Sequence, residues 1–143
     1  MLIYLEACES GSMFEGLLPS NISIYATTAS GPKEGSYATY CYPDDTINDV
    51  HIGSCLGDLY SVVWMEDSAS NNIFEETVGE QYETTKVEVR LTAVSEYGQL
   101  DLKSLAVGQF QGIFDPEISL PRKLNEEMNR SVVSARDNTL RYW

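Results

Sequence analysis

The residues best equipped for covalent chemistry stand near the amino end, in Glu6-Ala7-Cys8-Glu9-Ser10-Gly11-Ser12. A thiol is a capable nucleophile once ionised, and the apolar run leading to it makes residues 1–7 read as a strand buried on both faces. A strand that runs into Cys8 and then turns through small residues sets the thiol at the carboxyl end of a sheet, where open α/β folds build their sites. The same residues also suit an inert buried cysteine. Activation needs a partner, because Glu6 and Glu9 disfavour the thiolate whereas a neighbouring protonated histidine favours it. His51 is the only histidine. It lies among turn formers, and we read it as a solvent-exposed loop residue.

The elements that must position this thiol follow from pattern. Glu9 to Ser12 breaks the first strand, Met13 to Leu18 suggests a short helix ended by Pro19, and Ile22 to Thr27 is a second strand rich in β-branched and aromatic residues. Strand, helix and strand in so short a span point to an α/β sheet. Residues 30–54 carry Gly31, Pro32, Gly35, Pro43, Asn48 and Gly53 among other turn formers and read as a long surface loop. From Leu56, the spacing of Leu59, Tyr60, Val63 and Trp64 predicts a core-facing helix, and Phe74, Val78, Tyr82 and Val89 continue the helical spacing. Residues 91–120 show no clear period and read as mixed loop and short strand, and Pro121 can start a last helix through Leu124, Met128 and Val132. There is no internal repeat.

The chain has 143 residues, with 9 Lys and Arg against 22 Asp and Glu, a formal net charge of −13. With 43% hydrophobic residues it reads as a folded chain of one domain or part of one, without a membrane span. Its acidity leaves no electrostatic footprint for nucleic acid or an anionic membrane surface. Self-repulsion falls as pH approaches an isoelectric point near 4.2, which suits an acidic compartment, although a merely solubilising surface accounts for the charge equally well. Three cysteines are too few for a disulfide scaffold, but a bridge between Cys41 and Cys55 would close the loop between them. Sequons at Asn21 and Asn129 also favour a secretory route. Met1 opens directly into a strand and Tyr142-Trp143 ends the chain, so we expect a fragment. No cluster of metal or cofactor ligands is present, and none is expected.

Three blocks carry a resemblance: Leu5 to Gly16 (LEACESGSMFEG), Ile24 to Ser30 (IYATTAS), and Cys55 to Ser61 (CLGDLYS) with Trp64 to Ser68 (WMEDS). In this order they closely resemble the legumains, asparaginyl endopeptidases called vacuolar processing enzymes in plants, and the pair Cys41 and Cys55 looks like the plant branch. The resemblance implies the carboxyl half of a caspase-like α/β three-layer sandwich with a mostly parallel sheet. It implies that Cys8 attacks the peptide bond after Asn, and that Glu6 and Asp58 are pocket carboxylates accepting from the asparagine carboxamide. A structural pair or a helix cap is the alternative for both acids. Where the family commonly has two serines, this chain has Gly35-Ser36 after Glu34, and the missing hydroxyl removes a hydrogen bond worth about 0.5–1.5 kcal/mol. The family's histidine, in a His-Gly motif, and its pocket arginine precede this region.

Residues 90–143 diverge, since only Tyr97-Gly98 survives clearly of a family block at Ala93 to Gly98. Ser134 to Asn138 resembles the junction with an inhibitory C-terminal prodomain, which divides the chain into a catalytic part, 1–136, and the start of a linker, 137–143. The implied function is an acid-active cysteine endopeptidase in a vacuole or lysosome-like compartment. Its partners are Asn-containing protein and peptide substrates, its own prodomain and cystatin-type inhibitors. A peptide ligase of the same family, and a non-catalytic remnant without the histidine, are the competing readings. Asn129 and Asn138 are candidate self-processing sites, with ordinary exposed asparagine as the alternative. Replacing each by Gln in the precursor should abolish cleavage at that peptide bond, as read by the masses of the processed chains.

Overall fold

A computed structural model describes residues 1–112 and the short strand Val133–Ser134. Leu2–Leu5 forms β1 and Tyr25–Thr28 forms β2, paired in parallel with Leu2 opposite Tyr25 and Leu5 opposite Thr28. Ser95–Gly98, β7 in chain order, adds antiparallel on the other side of β2, giving the sheet order β1-β2-β7. The apolar and β-branched content of Tyr25-Ala26-Thr27-Thr28 suits this central position, and all four residues are buried. The second strand therefore begins at Tyr25, three residues after the expected start, and Ile22 is exposed.

A second small sheet lies at the site. Tyr37–Thr39 is β3, flanked antiparallel by β6 at Gly57–Asp58 and by β8 at Val133–Ser134. Between β3 and β6 the chain makes the hairpin of β4, Thr46–Ile47, and β5, Val50–His51. Its two-residue turn, Asn48-Asp49, has φ of 51° and 63°, the left-handed pair that matches strand twist. The stretch read as one long surface loop is thus corrected. Gly31, Ser36, Ala38, Thr39, Cys41 and Asp45 are buried, and exposure is concentrated in the hairpin. Turn formers mark its corners correctly, but they bracket a three-residue strand too short to show a period.

Helix α1, Leu59–Ser70, buries Leu59, Tyr60, Val62 and Val63, while Leu56 lies outside it and is exposed. It ends at Asn71-Asn72. Asn72 Oδ1 accepts the Phe74 N–H at 3.1 Å, a local bond that competes with helix, so Phe74 sits exposed between helices instead of continuing the expected spacing. Helix α2, Val78–Glu88, starts with a capping box in which Thr77 Oγ1 accepts from the Glu80 N–H at 3.2 Å and Glu80 Oε2 accepts from the Thr77 N–H at 2.8 Å. The expected helix at Met13 to Leu18 is instead a 3₁₀ turn at Ser10–Met13 followed by turns to Leu18, because Gly16 takes a positive φ of 69° and interrupts regular propagation. Residues 91–112 combine β7, a 3₁₀ helix at Leu100–Ser104 and a one-turn helix α3 at Gly108–Gln111. The helix expected after Pro121 lies outside the described residues.

The helices cover one face of the first sheet. Tyr4 stacks on Trp64 with ring centroids 4.0 Å apart, the Thr27 and Tyr60 hydroxyls meet at 2.6 Å, and Ala29, Val63, Tyr82, Val89 and Val94 complete this core. A second cluster of Tyr25, Ile73, Val78 and Val107 lies against Leu2 and Phe110.

Beside this core, a knot of polar groups ties the end of α1 to the turn before α2. Asp67 is buried, and Asn71 Nδ2 donates to Asp67 Oδ1 at 2.9 Å and to Glu76 Oε1 at 3.0 Å. Glu76 Oε2 is buried without a hydrogen-bond partner among the described residues. Burial, then the Asp67 charge, push the Glu76 carboxyl up to about 7, with Glu80 adding to the repulsion, while Tyr4 is raised to about 12 chiefly by burial. Between the ordinary glutamate value and about 7 the folded chain binds the extra proton, so stability is full below that window and falls as pH rises through it. In the whole protein, Glu76→Gln should flatten this decline, raising Tm at pH 7 with little change at pH 4. Melting curves at a series of pH values check it, and an unchanged slope would count against the assignment.

Candidate active site

Because β1 and β2 are parallel, their carboxyl ends emerge side by side, and the turns that follow are pinned to each other. Ser10 and Ser30 exchange hydrogen bonds through side chain and backbone: the Ser30 N–H donates to Ser10 Oγ at 3.1 Å and the Ser10 N–H to Ser30 Oγ at 3.2 Å. Ser30 Oγ also donates to the Ala7 carbonyl at 3.1 Å, and the Gly11 N–H to the Ser30 carbonyl at 3.0 Å. Glu34 adds a third tie, its carbonyl accepting the Glu9 N–H at 2.6 Å and its Oε2 accepting the Ala93 N–H at 2.8 Å.

Cys8 sits in the middle of these ties as a free, half-buried thiol. Glu9 beside it takes a left-handed φ of 56°, a conformation that costs a non-glycine residue roughly 1 kcal/mol or more and that the surrounding hydrogen bonds hold in place. The Ser36 N–H donates to Cys8 Sγ at 3.4 Å, and the Ser36 hydroxyl lies 3.8 Å from it. A main-chain donor is thus aimed at the sulfur.

The carboxyls come to the same place by different routes. Glu6, between β1 and Cys8, turns toward the start of α1, where its Oε2 accepts from both the N–H and the hydroxyl of Ser61 at 2.9 Å each. Oε1 is buried and has no hydrogen-bond partner among the described residues. Burial pushes the Glu6 carboxyl up to about 7; the Ser61 bonds work against this, the Asp58 charge reinforces it, and the nearby Ser36 hydroxyl, outside hydrogen-bond geometry, lowers it slightly. Asp58 lies in β6 opposite Ala38 of β3 and is likewise raised by burial. It stands at the N-cap of α1 yet makes no side-chain cap bond. The helix-cap reading thus fails for Asp58, and it is Glu6 that takes an orphan donor of the first turn.

Glu6 and Cys8, just past β1, Ser36, just before β3, and Asp58, in β6, are therefore gathered together, with Gly35 next to Ser36 in the chain. A profile of the peptidase C13 family matches residues 1–113. The chain belongs to this family. Among curated relatives it is 45% identical to a vacuolar-processing enzyme beta-isozyme of Arabidopsis thaliana, across 98% of this chain and 30% of that protein. It is 48% identical to a hemoglobinase of Schistosoma japonicum, across 78% of this chain and 25% of that protein. It is 40% identical to a legumain of Canavalia ensiformis, across 98% of this chain and 31% of that protein. The chain thus spans about a third or less of the length of these family members.

Other sequence candidates lie elsewhere. His51 is half-exposed on the β4–β5 hairpin, its Nδ1 2.7 Å from Asp45 Oδ1, and its described contacts are with Tyr42, Asp45 and Thr46 of the same hairpin region, not with Cys8, Glu6, Ser36 or Asp58. Cys41 and Cys55 are joined by a disulfide at the base of that hairpin. Asn21 is exposed, and Asn129 and Asn138 lie outside the described residues. Sequence reasoning missed Ser30, Glu34 and Ser61. Ser30 and Ser61 close two of the blocks that carry the family resemblance, so their presence was visible, but only the fold brings them to Cys8 and Glu6.

Gly11 is the tightest point of the Cys8 turn. A Cβ there would lie 2.9 Å from the Pro32 nitrogen and 3.0 Å from the Gly31 carbonyl carbon, and would collide with the Tyr97 hydroxyl. Backbone on that side cannot yield without moving the turn. Gly11→Ala in the whole protein should lower stability by about 1–3 kcal/mol and slow alkylation of Cys8. Calorimetry and the rate of thiol loss to iodoacetamide measure both.

Proposed function

We propose that this chain is the carboxyl part of a legumain-type catalytic domain, a cysteine endopeptidase cleaving after Asn and less readily after Asp. The observation that carries the reading is the Ser36 N–H directed at Cys8 Sγ beside two burial-raised carboxyls, in a member of the peptidase C13 family. On this reading the Cys8 sulfur attacks the carbonyl carbon of the scissile bond, the departing amine takes up a proton, and water then hydrolyses the thioester, releasing a carboxylate and the free thiol. The family histidine, upstream in the resemblance, is the base and acid for both transfers.

Glu6 and Asp58 form the floor of the specificity pocket. An asparagine carboxamide brings two N–H donors, and Glu6 Oε1 is the unpaired acceptor that suits one of them. A protonated aspartic acid also presents one donor and one acceptor, so cleavage after Asp should gain on cleavage after Asn as pH falls. Gly35 in place of the family's serine takes one hydroxyl from this pocket. The two small sheets and their helices belong, on this reading, to the caspase-like three-layer sandwich with its mostly parallel sheet, completed by segments upstream of β1. The names of the plant relatives support a vacuolar setting. On the same reading a C-terminal prodomain from about residue 137 and cystatin-type inhibitors are partners.

Cys8→Ala in the whole protein should abolish both turnover of Asn peptides and the covalent adduct seen by intact mass. Retained turnover would rule out the thioester. Product masses in the presence of an acceptor dipeptide separate hydrolysis from ligation.

A further inference from the structure

Helix α1 begins without a side-chain cap from Asp58, yet its third residue does not lack an acceptor. Glu6, 55 residues earlier, supplies it: the N–H and hydroxyl of Ser61 both end on Oε2 at 2.9 Å. Two donors on one oxygen fix the plane of the carboxylate, and the partial positive charge of a helix N-terminus favours the ionised form. The other oxygen, Oε1, is left buried and unpaired, a costly arrangement unless something outside the described residues completes it.

We propose that Ser61 is the positioning residue of the specificity pocket: by holding Glu6 Oε2 through backbone and hydroxyl, it leaves Oε1 as the acceptor for the substrate's asparagine carboxamide. The inference rests on Glu6 being a pocket carboxylate, as proposed above. Ser61 touches neither the thiol nor any reacting atom, so its effect is on substrate grip and on the ionisation of Glu6. The direction is fixed by the chemistry. Both Ser61 bonds oppose the upward push of burial, and losing the hydroxyl lets the Glu6 carboxyl hold its proton to a higher pH.

The test uses the whole active protein with Ser61→Ala, Ser61→Thr and Glu6→Gln, assayed on a peptide with Asn at the cleavage site. Ser61→Ala should raise KM about fivefold, the cost of one ordinary hydrogen bond, with kcat changed by less than about twofold. In the pH profile of kcat/KM, the ionisation that vanishes in Glu6→Gln should move to higher pH in Ser61→Ala. Ser61→Thr, which keeps both donors, should restore KM and the profile. A residue that merely supports α1 would lower Tm and leave the profile in place. A folded Ser61→Ala enzyme with unchanged KM and unchanged profile overturns the proposal. If Glu6→Gln itself leaves KM unchanged, the pocket assignment of Glu6 falls first. Should Ser61→Ala fold poorly, Ser61→Cys, with its weaker donor, should show a smaller KM increase in the same direction, and an unchanged KM there overturns the proposal equally.

Discussion

The site depends on the parallel pairing of β1 with β2. Parallel strands release their chains at the same end of a sheet, and here both released chains turn at once, so that Ser10 and Ser30 meet and bond in both directions. Everything else at the site is referred to that junction. Glu34 hangs the start of β3 from it, Ser36 follows two residues later with its N–H on the thiol, and β6 brings Asp58 alongside β3. The left-handed backbone at Glu9 is a local cost carried by these ties, and it aims Cys8 toward β3.

The acidity of the chain is not only a surface property. Glu6, Asp58 and Glu76 are carboxyls that burial makes reluctant to ionise, in two separate places. Neither place has a described cation to offset them: the ion pairs among described residues are His51 with Asp45 and Lys103 with Glu96, both elsewhere. Protonation relieves such groups more cheaply than any rearrangement of packed helices. At these two places acid favours the folded chain, whereas Asp45 and Glu80, both lowered, pull the other way.

What could be read in the sequence was largely local. The β-branched second strand and the i, i+3, i+4 spacing of Leu59, Tyr60 and Val63 each encode their own burial, whereas the run into Cys8 forms β1 at the edge of the described sheet, partly buried and not covered on both faces as its apolar content suggested; each element exists with shifted ends. The capping box at Thr77 and Glu80 goes unread, because the continuing apolar spacing from Phe74 does not register the break at Asn71-Asn72. β3 was hidden for a different reason. Three residues between glycines, prolines and polar turns carry no period, and their strand character comes from β6 and β8 on either side. The identity of Cys8, Glu6, Ser36 and Asp58 as a group came from the resemblance. Their hydrogen bonds did not, since Ser61 and Glu6 are joined only by tertiary contact.

The four-residue ladder between β1 and β2 also acts as a ruler. Side chains alternate faces along a strand, and each residue advances it by roughly 3.3 Å. A slip of one residue would therefore carry the thiol past the Ser36 N–H and turn Tyr4 away from Trp64 in the same movement. The stacked rings and the aim of the nucleophile are thus read off one register. A chain that has packed its core correctly has, by that act, also set its thiol.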